Sequence, residues 1–590
     1  MWSRLEGAEL DLVVVGGGIT GTGVARDAAR RGLRVALVEQ RDLAYGTSSR
    51  SSKLVHGGLR YLEQGEVAMV FESVSERRTL MHLAPHLVTP LPFLFPVFER
   101  SKKSLTLIRL GMWLYDALAL FRSYRRHVMV GRDALLAKEP ALRREGLRGS
   151  PLYYDCATDD ARLTLETALD AAAAGAIVAT GARVRRLVKN VRGEIEGVVV
   201  EDTLRGGVTT VRAPVVVNAT GPWTDALRRL STLPGKERRA LLRPTKGVHA
   251  VVARDKLPVH HAVVLVHPED GRVLFALPWG DRSYLGTTDT DYRGRPEDVA
   301  ATADDVTYLL EAASHYFPEH PLAPGDVLST WAGLRPLIAP PDAVSASQVS
   351  REHDVLTDPD GLVTVAGGKL TTYRHMAEEV VEAALVVLRA RGRARSLKPA
   401  RTAEDPLPGG REWPAGDPAE ALAALAREVA ELGSFEAATA THLVASYGSR
   451  ARELARRTAA NEGWRTPLVP GRPEMEGQVR WAAQEELAAS VADVLVRRTQ
   501  LFFRDRDQGL GCAERVADLL AEELGWTPRE REASVTAYRA EVALGRRWQE
   551  GMAAELRDEG GDAAGMGMGE GEGTERAVPR GAPPGELAAE

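Results

Sequence analysis

Residues 48–62 read SSRSSKLVHGGLRYL, which brings hydroxyls, cations, an imidazole and a Gly-Gly pair into one short run. Hydroxyls, cations and pliant backbone are the groups that bind phosphate, and imidazole titrates near neutrality, which suits proton transfer. The phosphate loop GxxxxGK[ST] is not present there. A second glycine-rich stretch lies earlier. Gly16-Gly17-Gly18-Ile19-Thr20-Gly21 follows the apolar run LDLVVV and opens the helical pattern TGVARDAARRG, and Glu39 ends the next apolar run, RVALVEQ. Strand, glycine turn, helix, strand and terminal acid form the context that the dinucleotide fingerprint requires. The glycines let backbone approach a pyrophosphate, the helix N-terminus offers N–H groups and a positive dipole end, and Glu39 accepts from a ribose hydroxyl. The fingerprint alone admits NAD or FAD. Two later apolar runs that end in glycine, APVVVNATGPW and GLVTVAGGKLTTYR, favour FAD, because an extended cofactor crossing a sheet needs several such strand ends. No separate nicotinamide-domain pattern follows.

The elements that must position these residues can be read from the same chain. At 590 residues it exceeds a single core, and three or four domains are expected. The hydrophobic content of 44% and charged content of 27% are those of a globular protein, and the net charge of −5 argues against a general nucleic-acid binder. Cys156 and Cys512 lie far apart, so neither a disulfide framework nor a metal site is expected, and a reducing compartment is implied. The N-terminus lacks the pattern of a secretory leader, and no apolar run is long enough to span a bilayer. The expected fold is α/β (α+β overall). A Rossmann-type FAD-binding domain over 8–390 (8–90, 150–240 and 325–390) is interleaved with an antiparallel-sheet substrate domain (91–149 and 241–324). A Pro/Gly-rich linker, 391–414, leads to a separate C-terminal α-helical domain over 415–550, opened by the cap Asp417-Pro418-Ala419-Glu420. Within it, helices are expected at 436–460, 476–503 and 511–524. Residues 551–590, rich in Gly, Glu, Pro and Ala, are expected to be disordered.

The segments VVGGGITGTGVARDAARRGLRVALVE, DLAYGTSSRSSKLVHGGLRYLE, VNATGPW, GTTDTDY, GLRPL and GGKLTTYR occur in this order. Together they resemble the FAD-dependent glycerol-3-phosphate dehydrogenases, within the D-amino-acid-oxidase-like flavoproteins. The resemblance covers residues 8–380, and the helical segment up to about 550 is similar to the C-terminal domain of that family. It implies cofactor contacts from Gly16, Gly17, Gly18, Gly21, Glu39 and Gln40 at the fingerprint. Thr47, Ser48, Ser52, Lys53 and Leu54 would add contacts from the serine-rich run. Ala219, Gly221, Gly367, Gly368, Lys369, Leu370 and Thr371 would complete them from the two later turns. It further implies a substrate site of Arg60, Tyr61, Arg335, Lys369 and Thr372, with FAD held non-covalently. Three cations facing one site suit an anion that is doubly charged near neutrality, such as a phosphomonoester.

The implied reaction is oxidation of the C2 alcohol of sn-glycerol 3-phosphate to dihydroxyacetone phosphate, with Arg335 holding the substrate. His56 is the first candidate for the base and His249 the second. Lys369 has a possible second role, as a cation stabilising reduced flavin. A quinone is the expected electron acceptor, with oxygen as the rival. The run ERSKKSLTLIRLGMWLYDALALFRSYRRH bears on this choice. Its apolar middle, with Trp113 and Tyr115, lies between Arg100, Lys102 and Lys103 on one side and Arg122, Arg125 and Arg126 on the other, and it suits an element lying on anionic lipid. An ordinary core helix with solvated basic ends is the rival reading. The expected location is cytoplasmic, at the inner face of the membrane; a homodimer is compatible with the sequence. Two further activities compete for the chain as a whole: a flavin amine or amino-acid oxidase, and a flavin-binding regulatory protein without catalysis.

Overall fold

A computed structural model describes residues 2–58, 65–101, 103–118, 124–231, 239–339, 352–393 and 395–553. Arg60, Tyr61, Lys102, Arg122 and the tail from 554 onwards lie outside the described residues.

The run LVVV of Leu12–Val15 is apolar at every position because both of its faces are covered. Leu12 and Val14 face one core, Val13 and Val15 another. This strand is central to a six-stranded sheet. In order, the strands are His353–Thr357, Leu362–Gly367, Val215–Asn218, Leu12–Val15, Val35–Val38 and Ile177–Ala179. All neighbours are parallel except His353–Thr357 against Leu362–Gly367. The helices Ile19–Arg31, Asp160–Ala173 and Tyr373–Ala390 cover one face. The three-stranded sheet Ala182–Lys189, Ile195–Asp202 and Val208–Arg212 covers the other. The turn at 16–21 is tight: Gly16 has φ +111°, and a Cβ on Gly21 would lie 1.9 Å from the Gly16 carbonyl oxygen.

A second, largely antiparallel sheet of eleven strands carries the other half of the molecule. Towards one end of it, Thr245–Ala253 pairs with Arg282–Gly286 on one side and Val327–Arg335 on the other. The boundaries differ from those expected. Leu147–Thr158 runs through position 150, and Val327–Arg335, expected within the dinucleotide domain, belongs to the second sheet. The alternation of an antiparallel strand is blurred there because both faces of Val327–Arg335 are covered, so its sequence reads like a parallel strand.

The C-terminal region is helical as expected. Asp417 caps Pro418–Gly433 by accepting from the Ala419 N–H at 3.0 Å. The helix expected over 476–503 ends instead at Glu485, and after a short irregular link a π-helical turn, Asp493–Arg498, follows. Leu487 and Gln500, both with positive φ, punctuate this stretch. The region is not a separate body. Val494, Phe502, Phe503 and Val516 share a core with Phe93, Leu277, Tyr284 and Trp331 of the second sheet.

Candidate functional site

Two cavities meet where the sheets join. The first, about 450 Å³, is lined by Gly16, Gly18, Glu39, Gln40, Tyr45, Thr47, Ser48, Ala219, Gly221, Gly367 and Gly368 among others. The second, about 300 Å³, is lined by Arg50, Ser52, Leu54, His56, His249, Arg272, Asp289, Arg335 and Thr371 together with an apolar wall. Thr47, Ser51, Lys369 and Leu370 line both and form the passage between them.

The first cavity has the chemistry of a dinucleotide site. It runs from the N-terminus of Ile19–Arg31, whose N-cap Gly18 contributes no side chain, to the turn at 367–370. Glu39 accepts from the Gly17 N–H at 2.6 Å and the Arg41 N–H at 2.9 Å, so the acid that ends the second strand also braces the glycine turn. Burial pushes the Glu39 pKa up despite these two bonds. The Ser48 hydroxyl accepts from the Ile19 N–H at 2.9 Å, tying the serine-rich run to the helix start. A glycine cradle, an amide-bearing helix end and an extended cavity fit FAD.

In the second cavity, His249 sits in mid-strand opposite Trp331 and Gly286. A Cβ on Gly286 would lie 2.0 Å from the imidazole, so only glycine leaves room for the ring, which stacks on Trp331 at 4.6 Å between centroids. Its Nε2 and the Ser52 hydroxyl are 2.9 Å apart, and its buried Nδ1 has no hydrogen-bond partner among the described residues. Burial, then the charges of Arg335 and Lys53, push its pKa well below the ordinary 6.5. The unfolded chain therefore binds a proton at this ring below pH 6.5 that the folded chain does not, and stability falls as the pH drops. As the pH falls below 6.5 this one ring is expected to cost progressively more stability. Urea unfolding at pH 7 and pH 5 checks this: His249→Phe should lose less stability between the two than the parent, and equal losses would refute it.

The His56 N–H donates to the Thr371 hydroxyl at 3.2 Å, and the next N–H, of Gly57, donates to Asp155 at 2.9 Å. Asp155 is held in turn by Arg77 and by the Tyr115 hydroxyl, in the core below. Arg335 donates to Asp289 at 2.9 Å, to the Thr287 hydroxyl at 3.1 Å and to the Thr288 carbonyl at 3.2 Å. Arg272 reaches the Asp289 carbonyl from the neighbouring hairpin.

Of the residues expected from the sequence, the structure gathers most of the cofactor set in the first cavity and His56, His249, Arg335 and Lys369 around the second. Gly17 and Gly21 support the turn, and Ser52, Leu54 and Thr371 line the second cavity. Thr372 lines neither; it stands at the N-cap position of the helix Tyr373–Ala390, without a side-chain capping bond. Lys53 is expected at the cofactor, but its ammonium lines neither cavity. It is buried against Asp160 at 2.7 Å, within 6 Å of the rings of Trp279, Trp331 and Phe503. Arg50, Arg272, Asp289 and Asp155 also face or support the site, and sequence reasoning misses all four. Asp289 stands inside the segment GTTDTDY, which is a usable signal; nothing local distinguishes Arg272.

The family described as FAD dependent oxidoreductase matches residues 11–383, and the C-terminal domain of alpha-glycerophosphate oxidase matches residues 400–531. The chain is 40% identical over 542 residues to Glycerol-3-phosphate dehydrogenase 2 of Mycobacterium tuberculosis, covering 92% of this chain and 89% of that protein. It is 36% identical over 542 residues to aerobic glycerol-3-phosphate dehydrogenase of Staphylococcus aureus, covering 91% and 94%. Among solved structures, the glycerol-3-phosphate dehydrogenase of Bacillus halodurans complexed with FAD superposes with a TM-score of 0.75 at 33% identity. That match covers 92% of this chain and 96% of the other.

Proposed function

Given a chain that belongs to the family of FAD-dependent glycerol-3-phosphate dehydrogenases, we propose that it oxidises sn-glycerol 3-phosphate to dihydroxyacetone phosphate and passes the electrons to a membrane quinone. The observation that carries this reading is the second cavity. Arg50, Arg272, Arg335 and Lys369 surround it, two histidines face it, and it opens at Thr47, Ser51, Lys369 and Leu370 onto the dinucleotide cavity. FAD, when bound, supplies the hydride acceptor for C2. The guanidinium groups of Arg335 and Arg272 hold the phosphate, with Arg60 and Tyr61 assigned beside them on the sequence resemblance alone. An imidazole takes the proton of the C2 hydroxyl, His56 first and His249 in reserve. Burial, and after it the charges of Arg335 and Lys53, favour the neutral form of His249, the form a base requires. His56→Asn is expected to slow flavin reduction about 100-fold with flavin content intact; an unchanged rate would move the base to His249.

The acceptor reading draws on the helix Leu105–Leu118. It buries Met112 and Tyr115 but turns Leu110, 68% exposed, and Trp113, 51% exposed, outward with Leu107 and Leu114. Val67 and Phe71 of the helix Val67–Leu83, which packs against it, are exposed as well. A core helix would face these residues inward, so the patch favours a lipid surface over the rival reading. The helix's inner side, through Ile108, joins the core that includes Phe93, Phe95 and Phe275 of the second cavity's apolar wall. No helix among the described residues is long and apolar enough to cross a membrane, and the contact proposed here, with the cytoplasmic face, is a peripheral one. Leu110→Gln with Trp113→Gln is expected to abolish flotation with anionic liposomes while sparing turnover with a soluble acceptor. Flotation equal to the parent would remove the patch from the membrane contact. The reaction itself is tested by anaerobic titration with sn-glycerol 3-phosphate. Bleaching of the flavin band and reoxidation faster by quinone than by oxygen are expected; no bleaching of flavin-loaded protein would overturn the substrate.

A further inference from the structure

The segment 41–50 contributes Tyr45, Gly46, Thr47 and Ser48 to the first cavity and Arg50 to the second, yet beyond one short turn, Thr47–Ser49, it has no regular structure of its own. Its links to the dinucleotide domain include the Ala44 N–H to the Gly17 carbonyl at 2.9 Å and the Ser48 bond to Ile19. Two further links come from the helical C-terminal region, one near each end of the segment. Asp42, with a side chain 2% exposed, accepts from Arg497 Nε at 2.5 Å and from Arg498 Nη1 and Nη2 at 2.8 and 2.9 Å. At the other end Arg50 lies 3.6 Å from Glu541.

The C-terminal side of the first link is specially shaped. Consecutive residues of an α-helix point about 100° apart and do not face one partner. In the π-helical turn Asp493–Arg498, however, both guanidinium groups converge on the one carboxylate, and such turns concentrate at functional positions. Arg498 also donates to the Glu486 carbonyl at 2.7 Å, and the fully buried Glu486 carboxylate binds Arg162 of Asp160–Ala173 at 2.7 Å. Arg450 joins Glu486 to Glu166 of that same helix. The grip on Asp42 is thus anchored a second time in the dinucleotide domain, so the π turn cannot drift away without breaking buried charge pairs. Such pairs are costly to break and contribute little net stability compared with apolar packing. Their placement at a cofactor loop therefore points to positioning.

We propose that the helical C-terminal region is the positioning element of the cofactor segment: Arg497 and Arg498 through Asp42, and Glu541 through Arg50, hold residues 41–50 in the conformation that retains FAD. In the full-length holoenzyme, Asp42→Asn should release FAD at least tenfold faster, followed by flavin fluorescence well below the melting temperature, and should alter the visible circular dichroism of bound flavin. Leu425→Ala is the control. It opens a cavity in another core of the helical region, shared with Val429, Leu443 and Leu454, and that core holds no residue of the π turn or of the helix Pro528–Arg546 that carries Glu541. It should lower the melting temperature and leave release unchanged. Arg498→Lys keeps the charge and loses the fork; it should fold, release FAD faster than the parent, and decide the matter if Asp42→Asn does not fold. Release at the parental rate in whichever of these two variants folds, with only a lowered melting temperature, would overturn the proposal. The readout is the flavin itself, so it is independent of substrate and acceptor.

Discussion

Arg335→Ala is expected to reduce kcat/KM for sn-glycerol 3-phosphate by roughly 30-fold to several-thousand-fold, equivalent to about 2–5 kcal/mol, as for truncating one partner of a buried hydrogen-bonded charge pair. The side chain is only 21% exposed and is held by Asp289, Thr287 and Thr288. These protein bonds orient its fork, so little side-chain entropy remains to be lost on binding a phosphate. Truncation removes the charge, the aim and one partner of Asp289 at once. The carboxylate then faces the substrate anion with one fewer compensating cation, which adds repulsion to lost attraction. Arg335→Lys should recover only part of the loss, because an ammonium cannot bind Asp289 and a phosphate in one plane. Steady-state kinetics on flavin-loaded variants measures this; an alanine variant with parental kcat/KM would take Arg335 out of the site.

What is readable in the sequence divides along the range of the forces involved. The dinucleotide half is written locally: the Gly16–Gly21 turn, the apolar strand before it and Glu39 after it are neighbours in the chain, and their roles follow from backbone geometry. The cap at Asp417 is equally local. The substrate half is not. Arg335 depends on Asp289, 46 positions away, and Arg272 reaches the same residue from another hairpin. An isolated arginine after a glycine turn carries no mark of this. The C-terminal region reads as separate because a Pro/Gly link precedes it and its helices are amphipathic. Its apolar face, however, packs on Trp331 and Tyr284, which is a tertiary fact. Lys53 shows the limit most sharply. A lysine among serines looks like a phosphate ligand until its partner, 107 positions on in the chain, is seen.

That partner makes Asp160→Ala the stability counterpart of the Arg335 experiment. Lys53 and Asp160 have side chains 3% and 0% exposed, and their 2.7 Å contact neutralises the ammonium among three aromatic rings. Asp160 also accepts from the Ser51 N–H at 3.0 Å and the Ser51 hydroxyl at 2.7 Å, so one carboxylate holds both the lysine and the residue that lines the passage between the cavities. Removing it leaves a buried cation compensated by the ring faces, the Ser49 carbonyl at 3.4 Å and the charge of the neighbouring Asp159, none of which replaces the direct ion pair. Breaking one side of a buried pair costs about 3–5 kcal/mol, and chemical denaturation of Asp160→Ala should show a loss of that size. Lys53→Met combined with Asp160→Ala removes both charges, and the pair should be less destabilised than Asp160→Ala alone because no uncompensated ammonium remains. If the double variant instead lost the sum of the two single losses, the contact would carry no coupling and the effect would belong to Ser51. Flavin reduction separates these two roles of Asp160. Loss of the ion pair acts on stability, whereas release of Ser51 acts on the passage, and only the second persists in a double variant whose fold is restored.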